Sequence, residues 1–272
     1  MRALYADLDA TLLGPGGVLL RGADGTFSLE GVRALQACDR AGAEVVLMSG
    51  RRQAQVMEDA RLIGQDSYIF EAGSCLVLDG EEHWLTGELM PGEAGTIHDQ
   101  IEAMGAPALL LEHYAGRLEY HDPWHRNREV SHLFRGLVDA AEADALLAEH
   151  GHGALRLVDN GGVHRRSPRL VALAEVRAYH LVPRGASKAG AVARHMRARE
   201  LGAGDVIAVG DSREDMETAT HVGAFWFVAN AVERDPTLRD AIGARANVHV
   251  AEASYGAGVY EAVVTTLAAR GG

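Results

Sequence analysis

Two aspartates, Asp7 and Asp9, stand two residues apart at the end of the short apolar run Ala3-Leu4-Tyr5-Ala6, with Thr11 two residues further on. An apolar run that stops at polar residues reads as a buried parallel strand. Side chains two apart on a strand point the same way. Two carboxylates that close repel one another and call for a cation or a shared proton. The pair therefore suggests a hard-metal site with a carboxylate nucleophile; the plainer reading is a strand end with two solvated acids. Ser49 closes a second run, Glu44-Val45-Val46-Leu47-Met48, beside Gly50-Arg51 and near a helix start, a natural place to hold an anion. Arg51 itself reads as a structural or surface residue. Lys188 is the one lysine among 26 lysines and arginines. An ammonium is a compact point charge and a guanidinium a planar fork. A site that requires lysine would explain this, as would a coding bias with one residual lysine. Asp211 and Asp215 follow a further apolar run, Val206-Ile207-Ala208-Val209.

These groups need elements to position them, and open α/β sheets collect reactive groups beyond the carboxyl ends of their strands. After Thr11, Gly14-Pro15-Gly16-Gly17 is a turn cluster. Residues 18–20 and 26–28 around Asp24-Gly25 read as a small hairpin. Ser28 reads as the cap of a helix that carries Val32, Leu35 and Cys38 on one face and stops near Gly42. The strand over 44–48 leads to a helix over 52–62, and Tyr68-Ile69-Phe70 is a third strand. From about residue 80 to 180 the pattern changes. Strand-like runs at 108–111, 118–120, 155–158 and 176–179 mix with helix-like stretches at 94–104 and 129–150, without simple βαβ alternation. This predicts a separate α+β domain inserted into the first. From Gly185 the alternation of strand and helix resumes, with a helix over 187–201, strands over 206–209 and 224–228, an edge strand over 247–250 and a closing helix over 258–269.

Composition bounds the function. At 272 residues the chain has room for one large or two smaller domains. A net charge of −12 argues against nucleic acid as the main partner. Two cysteines, Cys38 and Cys75, suit a reducing compartment rather than a disulfide framework. Asp7 and Asp9 would fall inside a signal peptide's apolar core, so a cytoplasmic protein is expected rather than an exported one. No stretch reaches the ~18 apolar residues of a membrane span. His121, His125 and His132 are irregularly spaced and lack cysteine partners, which argues against structural zinc. Oligomeric state is not legible.

Taken together and in order, the four clusters resemble the motifs of the haloacid-dehalogenase-like hydrolase superfamily: hhhhDxDxT at Asp7/Asp9, a strand ending in Ser49, the lone Lys188, and strand-GD-S-x-x-D at Asp211/Asp215. The ~100-residue insertion resembles its type-2 cap. Phe70-Glu71-Ala72-Gly73, Val228-Ala229-Asn230-Ala231 and Gly256-Ala257-Gly258-Val259 look like landmarks of the Cof-type, sucrose-phosphatase-like and mannosyl-3-phosphoglycerate-phosphatase-like branch. The resemblance implies a Rossmann-like α/β core over residues 1–80 and 181–272, with an inserted α+β cap over 81–180 that governs specificity. Three positions depart from the pattern: Ala10 where glycine is usual, Glu214 where asparagine is, and Ala72 where asparagine is common.

The implied activity is Mg²⁺-dependent hydrolysis of a small phosphate monoester. Phosphate esters resist anionic attack because their oxygens already carry negative charge, which a cation and positioned donors must offset. Asp7 becomes the nucleophile and forms an aspartyl phosphate. Asp9 serves as general acid and then base. Ser49 and Lys188 donate to the phosphoryl oxygens. Asp7 and Asp211 supply metal carboxylates, Asp9 its backbone carbonyl, and Asp215 is a ligand or supports one. In the cap, Trp124, His125, Arg126 and Arg128 belong to a donor-rich stretch able to bind the leaving group, which points to a sugar or sugar-acid phosphate. A phosphoacceptor signalling module and a catalytically silent sugar-phosphate binder are the alternatives.

Overall fold

The computed structural model describes residues 1–93, 95–163 and 167–271. In chain order, the first core segment holds β1 (Ala3–Asp7), α1 (Glu30–Arg40), β2 (Glu44–Met48), α2 (Gln53–Leu62), β3 (Tyr68–Phe70), β4 (Cys75–Leu78) and β5 (Glu81–Trp84). The cap follows with α3 (Ile97–Ala103), α4 (Ala106–His113), β6 (Leu118–Tyr120), β7 (His132–Gly136), α5 (Ala140–Glu149), β8 (Leu155–Gly162) and β9 (Arg177–Pro183). The core resumes with α6 (Lys188–Ala198), β10 (Val206–Gly210), α7 (Arg213–Met216), β11 (Ala224–Phe227), α8 (Ala229–Arg234), α9 (Thr237–Ile242), β12 (Val248–Val250) and α10 (Tyr255–Gly271).

The core is one sheet in the order β12-β11-β10-β1-β2-β3-β4-β5, parallel from β12 through β3. Every residue of β1 is buried, as a central parallel strand covered on both faces must be. Register then aligns the chemistry: Asp7 is level with Met48 on β2, and Ala6 with Val209 on β10. Asp7, Ser49 and Asp211 therefore emerge side by side at the carboxyl edge of the sheet. The edge strand read over 247–250 is β12.

The cap is a four-stranded antiparallel sheet, β6-β7-β9-β8, around its own apolar cluster, which includes Ile97, Leu110, Phe134, Leu147, Tyr179 and Leu181. Three of the elements read from the sequence differ here. Residues 108–111 lie within α4, which starts with Pro107 in its first turn after a left-handed Gly105. Alanine and leucine are strong helix formers, and a short apolar run does not distinguish a buried helix from a strand. The helix read over 129–150 is two elements, β7 and α5, separated where the Asp139 carboxylate caps α5 by accepting from the Ala141 and Glu142 N–H groups. The helix read from Ala94 begins at Ile97, behind a Thr96/Asp99 capping box; Ala94 lies outside the described residues. In the core, the hairpin read over 18–28 is instead a loop with two isolated bridges, Gly14–Val18 and Arg21–Phe27. Leu29 rather than Ser28 occupies the α1 cap position, with Ser28 Oγ accepting from the Glu30 N–H at 3.3 Å. The antiparallel β4–β5 hairpin extends the core sheet to Trp84, past the point where the sequence pattern changes. No helix among the described residues is long and apolar enough to cross a membrane.

Candidate active site

β1 delivers Asp7 as its last residue, 5% exposed. The chain then turns through Ala10 at φ +61°, a region that residues with a Cβ seldom enter. Asn230 on α8 holds this turn. Its amide donates to the Ala10 carbonyl at 2.8 Å, and its side-chain oxygen accepts from the Tyr255 N–H at 2.8 Å. The motif around Asn230 thus staples the loop that carries both aspartates.

Lys188 opens α6 and is buried. Its Nζ donates to Asp7 Oδ1 at 2.8 Å and to Asp215 Oδ1 at 2.7 Å, with Glu214 Oε2 at 3.5 Å. Gly73 allows this approach, since a Cβ there would lie 2.0 Å from the Ser187 carbonyl carbon. Asp215 Oδ2 accepts from the Asp211 and Ser212 N–H groups and from Ser212 Oγ, the capping box of α7. Asp211 Oδ2 accepts from Arg234 at 2.6 Å. Asp7, Asp211 and Asp215 are buried and each offers a carboxylate oxygen within 4.8 Å of the others.

Four buried carboxylates here face two cations, Lys188 and Arg234, an excess of two negative charges. Burial pushes the Asp7 carboxyl well up; Lys188 opposes the shift, while Asp215 and Asp211 add to it. Asp211 is pushed up to about 6, again chiefly by burial, against the pull of Arg234. Glu214 is raised by burial as well, with Lys188 opposing. Burial alone would lower Lys188, but Asp215, Asp7 and Glu214 outweigh it and hold the ammonium charged. A hard divalent cation fits both the oxygen donors and the charge excess.

Asp9 stands apart from this cluster. Its side chain is 58% exposed, and both oxygens are taken by Arg51, which donates from Nε at 2.8 Å and from a terminal nitrogen at 2.7 Å. Arg51 also donates to Asp59 at 2.9 Å. Arg51 is therefore part of the site wall, although the sequence reads it as structural or surface. Its partner is 42 residues away, beyond any local pattern. Ser49 is buried, and its Oγ accepts from the Arg51 N–H at 3.1 Å.

Asp7, Asp9, Ser49, Arg51 and Asp211 line a cavity of about 530 Å³ between core and cap, a volume suited to a small metabolite. From the cap side, Trp124 and Arg128 reach it, as do His121, Asn160 and His180. Arg126 and His125 are not among its lining residues: Arg126 is exposed and paired with Asp122 at 2.6 Å, and His125 stacks on Tyr120. Arg128 is buried and engaged. It donates to the Gly50 and Trp124 carbonyls and to Ser131 Oγ, each at 3.0 Å. Its guanidinium fastens the cap to the core. Among the described residues His121, His125 and His132 do not meet as a metal-ligand set.

Two groups at this seam have no signal in the sequence reading beyond a landmark. Glu71, fully buried at φ +46°, reaches from the end of β3 into the cap. Its carboxylate accepts from the N–H groups of Glu129, Val130 and Ser131 at 2.9, 3.1 and 2.6 Å, and from Ser131 Oγ at 2.9 Å. His180 on β9 is buried, and burial, with Arg128 and Lys188 nearby, pushes it well below the usual imidazole range. Ser131 Oγ gives its proton to Glu71, so His180 Nδ1, 3.1 Å away, must be the donor to it. That tautomer leaves Nε2 as an acceptor close to Gly50, where a Cβ would lie 2.7 Å from it.

No family model matches the chain. It is 28% identical over 270 residues to a phosphoglycolate phosphatase of Methanoculleus marisnigri, covering 97% of this chain and 95% of that protein. Its structure is similar to the sucrose-phosphatase of Synechocystis, solved in complex with sucrose and phosphate, with a TM-score of 0.67, 14% identity and 98% of both chains covered. It is also similar to a haloacid-dehalogenase-like hydrolase from B. subtilis, with a TM-score of 0.59, 18% identity, and 97% of this chain and 99% of that one covered. Core and cap together, the chain has the fold of the haloacid-dehalogenase-like hydrolases; Asp7, Asp9, Ser49 and Asp211 line one cavity, and buried Lys188 lies behind Asp7.

Proposed function

We propose that the protein is a Mg²⁺-dependent phosphomonoesterase acting on a small phosphorylated sugar or hydroxy acid. The observation that carries this reading is the buried Asp7 carboxylate, 2.8 Å from Lys188 and beside Asp211 and Asp215, on the wall of a cavity that Ser49 and Asp9 share. The similarity to a phosphoglycolate phosphatase supports the substrate class.

Asp7 attacks phosphorus through a carboxylate oxygen, and the bond to the leaving oxygen breaks. Asp9, protonated on one oxygen while Arg51 keeps the other, passes that proton to the leaving oxygen, so the leaving group departs as a neutral alcohol. The aspartyl phosphate left on Asp7 is then hydrolysed by water, whose proton returns to Asp9 as phosphate is released and the Asp7 carboxylate is restored. Lys188 keeps its charge throughout and, with the Ser49 hydroxyl, donates to the phosphoryl oxygens where negative charge accumulates. Asp7, Asp211 and Asp215 would hold a Mg²⁺ ion, which would supply charge neutralisation at those oxygens. The cap excludes bulk water and offers the His180 Nε2 acceptor, Asn160 and the Trp124 face to the leaving group.

Release of phosphate from p-nitrophenyl phosphate and from 2-phosphoglycolate, with Mg²⁺ and with a chelator, tests the proposal. Metal-dependent turnover of at least one ester is expected. Asp7→Asn should abolish it without unfolding the protein, because an amide cannot form the acyl phosphate. Turnover by purified Asp7→Asn at near the wild-type rate would refute the mechanism.

A further inference from the structure

Each cation at the phosphoryl end of the cavity is already committed. Lys188 is held by Asp7, Asp215 and Glu214, Arg51 by Asp9 and Asp59, and Arg128 by two carbonyls and a hydroxyl. Arg234 differs. It ends α8, its side chain is 30% exposed, and it lines the cavity. Among the described residues its hydrogen-bond partner is Asp211, at 2.6 Å. The side chain, including the terminal nitrogen that holds Asp211, lies under the cap against the end of β8. A Cβ on Gly161 would be 3.5 Å from its terminal nitrogen, and one on Gly162 would be 3.9 Å from its Cδ. Asn160 and His180 line the same part of the wall.

We propose that Arg234 is a specificity-determining residue that binds a carboxylate of the leaving group, and that it becomes available when a divalent cation takes Asp211 from it. This rests on the metal-dependent phosphatase reading above. A guanidinium and a divalent cation compete for the same carboxylate. Once displaced, Arg234 is a planar fork in a cavity wall, on the cap side of the reacting phosphate, with no other hydrogen-bond partner among the described residues. That geometry matches a carboxylate bidentately. Metal occupancy and recognition of an acidic leaving group are then coupled through one side chain. A neutral sugar phosphate gains nothing from the exchange, whereas the phosphate ester of a small hydroxy acid does.

Two measurements on the full chain test this, with Arg234→Gln as the variant. The first is titration with Mn²⁺ by calorimetry, without substrate. Removing the competitor for Asp211 should tighten Mn²⁺ binding by about tenfold or more, the worth of a charge-assisted hydrogen bond. Unchanged or weaker binding overturns the competition. The second is the ratio of kcat/KM for 2-phosphoglycolate to that for p-nitrophenyl phosphate, which lacks a carboxylate. The ratio should fall by about tenfold or more, whatever the variant does to the shared chemistry. An unchanged ratio overturns the role in recognition. Should Arg234→Gln fail to fold, Arg234→Lys keeps the charge but not the fork, and the same ratio must still fall. Wild-type protein that hydrolyses neither ester refutes the phosphatase reading itself. Wild-type protein that hydrolyses both, with an unchanged ratio in the variant, refutes only the role of Arg234.

Discussion

Arg51 fixes the direction in which Asp9 faces. Two parallel N–H donors on one carboxylate give geometric control that a single ammonium cannot. Arg51→Lys keeps the charge and loses the fork, so Asp9 is left free to turn. Turnover of any hydrolysed ester should fall by roughly 10²-fold, the scale of a misplaced catalytic group, mostly in kcat with KM little changed. Steady-state kinetics on p-nitrophenyl phosphate decide it, and a rise in KM at constant kcat would contradict the assignment. Residues differ in how far the sequence exposes them. Asp7, Ser49, Lys188 and Asp211 announce themselves because each stands at the end of an apolar run or is unique in kind. Arg51, Arg234 and His180 do not, because each depends on a partner brought close only by folding, such as Asp9, Asp211 or Ser131. Arg126 and Arg128 are equal in the sequence, yet one is solvated on Asp122 and the other is buried at the seam.

At the scale of elements, the seam between core and cap rests on Glu71. One carboxylate satisfies three successive backbone N–H groups and a hydroxyl, all in a buried setting. Glu71→Gln puts an amide donor against these donors and removes the charge they stabilise. The protein should lose about 2–4 kcal/mol of stability, as expected for a buried charged acceptor removed from its partners. Urea denaturation of both proteins measures it; a difference below about 0.5 kcal/mol, the range of ordinary surface changes, would show the clasp to be dispensable. The core strands are legible because a buried parallel sheet writes continuous apolar runs. The cap is less so: its β7 lies between two partners and pairs antiparallel with both, and its α4 carries an apolar run short enough to read as a strand. Local pattern cannot separate these cases, and tertiary pairing decides them.

Across the whole molecule, the cap covers one edge of the core sheet while a polar network braces the interior away from the site. Tyr5 on β1 meets His195 on α6 at 2.8 Å, and His195 and Arg199 both reach Glu44 on β2. Burial would raise the Glu44 carboxyl, but hydrogen bonds from His195 and Arg199 outweigh it and bring it down to about 2, from an ordinary 4.5. A depressed carboxyl stabilises the fold above its unfolded value and loses that contribution as pH falls through its folded value. Wild type should therefore exceed Glu44→Gln in melting temperature near pH 7, with the gap closing as pH falls from 4.5 towards 2. Calorimetric scans across that window test it, and a gap that stays constant with pH would assign the effect to packing rather than charge.

The turn after β3 carries one further implication. Glu71, Ala72 and Gly73 are three consecutive residues in the left-handed region. The first clasps the cap, and the third lies against the Ser187–Lys188 backbone with no room for a methyl group. The cap's anchor and the wall behind the ammonium are thus two residues apart on a backbone with no slack. A single insertion or deletion here would misplace both at once. Length in this stretch is therefore fixed more tightly than identity, and a genuine relative should align through it without a gap even where its cap shares no recognisable residue with this one.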